Sequence, residues 1–103
     1  MISTQRWAQF SLFEQMGHIG SEVSRAKIWQ EKQDKASCRN ALERAFELVD
    51  MTMADQRWQG RLKEICRFRE FLADQYAATE VYQVSLSDLE HYCMDFALAS
   101  RKG

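Results

Sequence analysis

The stretch that decides the fold is Arg61-Leu-Lys-Glu-Ile-Cys-Arg-Phe-Arg-Glu-Phe-Leu-Ala-Asp-Gln-Tyr76. Its apolar residues recur with the period of an amphipathic helix, which predicts a helix with one buried face. Arg69 falls in the middle of that face, whereas Asp74 falls on the opposite, charged side with Lys63 and Arg67. Because an unpaired buried charge is very costly, we expect Arg69 to bind a carboxylate or to open onto a cleft.

The composition is that of one ordinary globular domain, residues 1–103, rather than of a disordered chain. Hydrophobic residues make up 46% of the chain, charged residues make up 28%, and the net charge is −1. This balance lacks the basic footprint of nonspecific nucleic-acid binding, although a local basic patch stays open. The absence of proline, with only four glycines, favours long helices with short connections.

The sequence shows no apolar run near the about 20 residues needed to span a membrane, and no signal peptide. A cytoplasmic location is the default expectation. Cys38, Cys66 and Cys93 are too widely spaced for a metal-ligand cluster. They fit small buried residues in a reducing compartment, with redox sensing or metal binding as the alternative. No cofactor or metal is expected, because the Glu-x-x-His spacing of di-metal bundle sites does not recur.

Capping signals divide the chain into helices. Ser11 and Glu14 have capping-box spacing, so a first helix is predicted from Ser11 to about Lys32. Asp34 is a candidate N-cap for a second helix that ends near Met53. Small residues form a strip beside the apolar face of the first helix, which predicts close approach by another helix, within the domain or in a dimer. The strip consists of Gly17, Gly20, Ser21 and Ser24.

The second half of the chain supplies two more helices. Asp55 can cap a third helix, which contains the opening stretch, and residues 77–84 are predicted as a loop. The fourth helix opens at Ser85 or Ser87, and Ser87 with Glu90 repeats the capping-box spacing. Four amphipathic helices without strand-like alternation predict an all-α fold, an antiparallel up-and-down four-helix bundle.

Surplus aromatic residues indicate contact surfaces. In the arm formed by the first ten residues, Trp7 and Phe10 are expected to pack against the same chain or against a second subunit. Trp29 lies on the polar side of the first helix, in company with His18, Glu22 and Arg25. A tryptophan in such surroundings is typical of a contact surface; the alternative is that it packs on the turn into the second helix.

No pattern in the sequence assembles a catalytic set. Nucleophilic catalysis needs a serine or cysteine beside a base. The two histidines, His18 and His91, plot on the polar sides of their helices. Phosphate-binding glycine loops, His-Glu-x-x-His zinc helices and calcium loops do not occur. The sequence therefore favours a non-catalytic protein.

A short segment of the third helix resembles the Arg-Asn-x-Leu-Val-His-x-Tyr segment of HEPN-type four-helix bundles: Phe68-Arg-Glu-Phe-Leu-Ala-Asp-Gln-Tyr76. That superfamily includes partners of minimal nucleotidyltransferases and many toxin ribonucleases. The resemblance implies that Arg69 is the motif arginine and Tyr76 the terminal tyrosine. Asp74 stands where the family has its histidine, and an aspartate needs a large pKa shift to act as an acid or base near neutral pH.

Three hypotheses follow from the sequence. In the first, a small helical bundle works by binding a protein, as a homodimer or higher homo-oligomer or as the subunit of a complex with another protein. No membrane partner is expected, and the composition disfavours nucleic acid without ruling it out. The second is the HEPN-like protein that the resemblance implies, which acts on RNA or partners a nucleotidyltransferase. The third is purely structural: Arg69 pairs inside the bundle with a carboxylate such as Glu14, Glu22 or Glu90, and the sequence does not name which one. The binding candidates are Arg69, Tyr76, Trp29, Arg25, His18, Trp7 and Phe10.

Overall fold

The computed structural model describes residues 3–77 and 85–102, except for the side chains of residues 96, 97 and 99–102. Every secondary-structure element in these residues is helical, so the all-α prediction is confirmed. A single turn, α1, is followed by four long helices, with a 3-10 helix before the third of them. The bounds are α1 Thr4–Trp7, α2 Leu12–Glu31, α3 Lys35–Met53, the 3-10 helix Gln56–Arg61, α4 Leu62–Ala77 and α5 Leu86–Lys102.

The predicted loop and the expected lack of a membrane-spanning helix can be compared with the structure only within the described residues. Residues 78–84, most of the predicted loop 77–84, lie outside the described residues, whereas Ala77 still belongs to α4. Across the described ranges, no helix combines the length and the hydropathy needed to cross a membrane.

Side-chain caps begin α2 and α3 where the sequence predicts. Ser11 Oγ accepts a hydrogen bond from Glu14 N at 3.1 Å, and the Glu14 carboxylate accepts one from Ser11 N at 2.9 Å, which completes a capping box. The hydrogen bond from the Ser11 amide holds the pKa of Glu14 below its ordinary value. Asp34 caps α3 by accepting a hydrogen bond from Ser37 N at 3.0 Å.

The start of the third long helix is later than predicted. Asp55 caps the 3-10 helix instead, with its carboxylate accepting from Arg57 N at 3.0 Å. Trp58 leaves the helical region, with φ −106° and ψ 19°, and this kink delays α4 until Leu62.

The cap of α5 also differs from the prediction. The capping box forms between Ser85 and Asp88, at 3.1 and 3.2 Å, and not between Ser87 and Glu90. The reason lies on another helix, because the Glu90 carboxylate accepts a hydrogen bond from Ser24 of α2. Helix α5 therefore begins at the earlier of the two predicted positions.

The hydrophobic core lies between α2 and the helices on either side of it. Helix α2 packs most extensively on α3 and α5, and α4 packs mainly on α3. The core consists of Trp7, Leu12, Met16, Ile19, Val23, Ala26, Ala41, Leu42, Ala45, Val49, Ile65, Phe68, Leu72, Leu86, Leu89 and Cys93. The buried polar residues among those described are Gln15, Glu22, Thr52 and Asp74.

Helix α4 is buried on more sides than its pattern predicts. Ile65, Phe68 and Leu72 form a buried apolar stripe, and the Phe68 ring stacks on Tyr92 with 5.6 Å between centroids. Asp74, predicted on the solvent side, is only 6% exposed. Residues two apart on a helix point about 200° apart. Burial of both Leu72 and Asp74 therefore means that the C-terminal part of α4 is enclosed on opposite sides.

The N-terminal arm packs on its own chain. Trp7 is buried, and its indole Nε1 donates to Thr52 Oγ1 of α3 at 3.1 Å. The Phe10 ring meets Trp7 edge-on at 5.8 Å, and the His18 ring lies 5.0 Å from Phe10. Of the two alternatives left open by the sequence, packing within the chain is the one observed. Trp7 is therefore part of the core and not of an exposed binding surface.

Gln15, which is fully buried, joins this arm to the turn before α4. Its Nε2 donates to the Trp7 carbonyl at 2.9 Å, and its Oε1 accepts from Trp58 Nε1 at 2.9 Å. Arg57 reinforces the junction by donating to the Phe10 carbonyl at 2.8 Å. One side-chain amide thus satisfies polar groups from two separate segments.

We expect Gln15→Leu to lower the free energy of unfolding by about 2–3 kcal/mol, measured by urea denaturation. The substitution fills the same space but leaves the Trp7 carbonyl and the Trp58 indole N–H without this partner, and each unsatisfied buried group costs about 1–3 kcal/mol. The control is Gln30→Leu at an exposed position on the same helix, with an expected change below about 0.5 kcal/mol. Equal stability of the two variants would contradict the role of Gln15.

Candidate functional site

A groove with a volume of about 470 Å³ opens between α2 and α5. Its lining is mainly small and apolar: Phe13, Met16, Gly17, Gly20, Ser21, Ser24, Glu90, Cys93, Met94 and Leu98. Contacts run in opposite order along the two helices, since Gly20 meets Cys93 and Ser24, further along α2, meets Glu90, which is earlier on α5. The groove therefore has one wall from each helix.

The α5 wall presents exposed apolar side chains. Met94 is 60% exposed and Leu98 is 46% exposed, and their spacing of one helical turn places them on the same face. Ile28, at 49%, is the other large hydrophobic residue with comparable exposure among those described, and it does not line the groove. Adjacent exposed apolar side chains at an apolar groove are typical of a binding surface.

The α2 wall is shaped by two glycines. A Cβ placed on Gly20 would lie 3.2 Å from Cys93 Cβ, so the missing side chain is what lets α5 approach α2. Among the side chains that the structure describes, none lies within 4 Å of a Cβ placed on Gly17, so Gly17 leaves a hollow in this wall. Glycine inside a helix costs about 1 kcal/mol relative to alanine. Packing within the chain accounts for this cost at Gly20 but not at Gly17.

Polar groups border the groove. The Glu90 carboxylate accepts a hydrogen bond from Ser24 Oγ and lies 3.6 Å from Lys27 Nζ. The hydrogen bond from Ser24, helped by the Lys27 charge, holds the pKa of Glu90 below its ordinary value, although burial opposes this. Burial raises the pKa of the Cys93 thiol to about 12. That thiol therefore stays protonated and unreactive near neutral pH.

A second, polar cleft of about 260 Å³ lies between α2 and α3. It brings His18, Glu22 and Arg25 together, as the sequence predicts, and adds Arg44 from α3. The buried Glu22 carboxylate accepts from Arg25 Nη1 at 2.6 Å and from Arg44 Nε at 3.0 Å. Both arginines of this cleft are thus paired with Glu22.

The residues that line this cleft differ from the predicted set: Trp29 is absent, and Trp7, Ser21, Arg44, Glu47 and Leu48 are added. Trp29 does not line it; the half-buried ring lies beside Lys32, whose Nζ is 5.2 Å from the ring centre. Arg44 lines it although sequence reasoning missed it. No local pattern marks Arg44, because its partner Glu22 lies on another helix.

Arg69 lies at the surface between α3 and α4 and not in the core. Its Nε donates to Asp50 Oδ1 at 2.7 Å, and its guanidinium lies over the Phe46 ring, 5.1 Å from the ring centre. The Arg69 side chain is 41% exposed, and its hydrogen bond to Asp50 raises its pKa. Arg69 therefore binds a carboxylate, as expected, but it does so at the partly exposed interface of α3 and α4 and not inside the core.

The carboxylates that we expected to pair with Arg69 are engaged elsewhere. Glu14 caps its own helix, Glu22 binds two other arginines, and Glu90 binds groups of α2. The actual partner, Asp50, lies on the solvent-exposed face of α3. Arg69 lies at the edge of the contact between α3 and α4, beside the Phe46 ring and the Asp50 carboxylate.

Tyr76 belongs to the same α3–α4 surface. Its ring meets Phe46 edge-on at 5.7 Å, and the Arg39 guanidinium lies 4.9 Å from its ring centre. The hydrogen bond to the Tyr76 hydroxyl raises the pKa of Arg39. Asp74 is buried and, five residues from Arg69, points about 140° away around the helix. The two polar positions of the HEPN-like segment therefore do not face one site.

The described residues give no sign of a metal centre. Within residues 3–77 and 85–102, no three His, Cys, Asp or Glu side chains are grouped to hold an ion. Cys38 and Cys66 are half-buried free thiols, and burial raises the pKa of Cys38. His91 is exposed on α5. What the groove and the polar cleft offer is apolar contact and paired charge.

Comparison with known proteins identifies no relative of this chain. No protein-family model, no curated protein and no solved structure matches this chain. Its own surfaces are therefore the guide to its function.

We expect Glu90→Gln to destabilise the fold at neutral pH and to lose this effect in acid, measured as free energy of unfolding against pH. The pKa of Glu90 is lowered in the folded state, so the unfolded chain binds its proton first as pH falls. The stabilisation is therefore present above the unfolded pKa and disappears as pH falls through the folded pKa.

The difference between wild type and Glu90→Gln should accordingly shrink toward zero below about pH 4. Glu70→Gln, at an exposed position of α4, is the control and should show no such dependence. A Glu90→Gln effect that stays constant into strong acid would mean that the ionised carboxylate is not the stabilising form.

Proposed function

We propose that this chain is a non-catalytic helical protein that acts by binding another protein chain in the groove between α2 and α5. The observation that carries the proposal is the exposed pair Met94 and Leu98 beside the hollow at Gly17. Burial of apolar surface contributes about 25 cal/mol per Å². Methionine is enriched in interfaces because it adapts to the shape it meets, and side chains one turn apart are a common way for helices to anchor in grooves.

The groove needs a scaffold that keeps its walls together. We infer that the four long helices form an antiparallel up-and-down bundle. The order of contacts supports this: Phe46 meets Tyr76, whereas Asp50, later on α3, meets Arg69, earlier on α4. The α2–α5 contacts follow the same opposite order. A cytoplasmic setting is part of the proposal, because free thiols suit a reducing compartment, and the thiols are Cys38, Cys66 and Cys93.

The polar cleft and the surface around Arg69 offer a partner less. In the polar cleft, Arg25 already pairs with Glu22, so a charged ligand would have to replace an existing contact. On the α3–α4 surface, Arg69 is likewise held by Asp50. Met94, by contrast, is mostly exposed to water, so a partner can bury its side chain without breaking an existing ion pair.

A photo-cross-linking amino acid at position 98 tests groove binding in cells of the organism that encodes the chain. Because Leu98 lines the groove, illumination should join the chain to one defined polypeptide, either another copy or a different protein. The matched control carries the same cross-linker at Ile28, which is 49% exposed against 46% for Leu98 but lies outside the groove. The proposal fails if position 98 gives no defined product, or if both positions give the same products.

A second candidate is the HEPN-like function, which would place the chain on RNA or beside a nucleotidyltransferase. The observation that favours it is the α3–α4 surface, where Arg39 lies over Tyr76 and Arg69 lies over Phe46. Arginines and aromatic rings together suit the phosphates and bases of a single strand. The ion pair of Arg69 with Asp50 and the net charge of −1 weigh against it.

This candidate predicts that the purified chain binds or cleaves RNA and that Arg69→Ala reduces the effect by about tenfold or more. Arg67→Ala, at an exposed position of the same helix, is the control and should behave as wild type. Gel-shift and cleavage assays at fixed ionic strength measure both effects. If wild type and Arg69→Ala are indistinguishable, Arg69 has no such function.

A further inference from the structure

We propose that the protein bound in the groove is a second copy of this chain, in a two-fold symmetric dimer. Met94 of each copy enters the hollow at the partner's Gly17, and Leu98 lies against the partner's Ser21. This inference rests on the proposed function of the α2–α5 groove and names its occupant.

The first support is that the protruding and the hollow features lie on one face. A two-fold interface requires this, because each copy presents the same patch to the other. Met94 protrudes from the α5 wall, Gly17 leaves open space in the α2 wall, and both line one groove. A rotation of 180° about an axis between the two positions exchanges them, so each Met94 meets a Gly17.

The second support is the register that this rotation imposes. The contacts between α2 and α5 show that these helices run in opposite directions. The rotation therefore brings the partner's α2 parallel to α5. Met94 and Leu98 are one turn apart on α5, and Gly17 and Ser21 are one turn apart on α2. When Met94 lies on the partner's Gly17, Leu98 consequently lies on the partner's Ser21.

The third support is that the polar groups under this contact already have partners. Ser21 Oγ donates to the Gly17 carbonyl at 3.1 Å, so Leu98 can cover Ser21 without burying an unpaired hydroxyl. At the border of the groove, Lys27 and Glu90 neutralise each other at 3.6 Å. Two copies therefore meet without bringing unpaired like charges together.

A different protein would have to supply its own protruding side chains and its own hollow at the same spacing. This chain supplies both, and the hollow is the feature that its internal packing leaves unexplained. Alanine at position 17 would clash with none of the described side chains of other elements and would favour the helix, yet the residue is glycine. Glycine at this position leaves room for a side chain of the second copy, which alanine would partly fill.

Sedimentation equilibrium of the full chain at micromolar concentration tests the dimer. We expect wild type to dimerise. Met94→Asp, which places a charge opposite the hollow, and Gly17→Leu, which fills it, should each weaken dimerisation by about tenfold or more. Both positions face open space in a single copy, so circular dichroism should show unchanged helix content. Ile28→Asp, at a position that is 49% exposed but outside the groove, should dimerise as wild type does.

Mixing Met94→Asp with Gly17→Leu tests the pairing itself. A mixed dimer contains one intact contact between Met94 and Gly17, whereas each variant alone contains none. The mixture should therefore associate more tightly than either variant. Equal association, a dimer that both substitutions leave intact, or a monomeric wild type would each overturn the inference.

The experiments distinguish failure of the dimer proposal from failure of the proposed groove binding. A wild-type monomer that is cross-linked from position 98 to a different polypeptide overturns the second-copy inference and leaves the proposed function standing. A wild-type dimer that position 98 does not cross-link overturns both, because the two copies then meet through another surface.

Discussion

The buried amide of Gln15 is the interaction on which the rest of the structure depends. It binds the Trp7 carbonyl and the Trp58 indole at the same time, and so fixes the N-terminal arm and the turn before α4 against one end of α2. Trp7 then closes the core, with its own indole N–H satisfied by Thr52. A buried amide with partners from separate segments selects one arrangement of them, because other arrangements leave polar groups unsatisfied.

With α2 fixed in this way, Gly20 sets the position of α5. The absence of a side chain there lets the Cβ atom of Cys93 come close, and Glu90 then reaches Ser24 further along α2. The groove is a consequence of this approach. It is closed where the helices touch at Gly20 and open about one turn earlier at Gly17. The packing that completes the core therefore also creates the hollow and leaves Met94 in water.

The sequence predicts those features of the fold whose partners are near in the chain. The Ser11–Glu14 capping box forms as expected because both members lie in one helical turn. The sequence does not identify a partner that lies on another helix: Arg69 binds a carboxylate as expected, but that of Asp50, and Glu90 binds α2 instead of capping its own helix. Periodicity gives the direction of a side chain but not the helix that packs against it. The burial of Asp74 has the same cause.

The candidate site shows the same division. The glycine strip of α2 was visible in the sequence, but its separation into a packed Gly20 and an open Gly17 depends on where α5 lies. Nothing in the sequence marks Met94 as uncovered, whereas Arg25 and Arg69 stood out and are neutralised within the chain. A paired charge must break its ion pair to bind another group, which costs free energy. An exposed apolar side chain has no such contact to break, and its removal from water is favourable. The groove, whose residues carry the weakest sequence signal, therefore has the most to gain from a second chain.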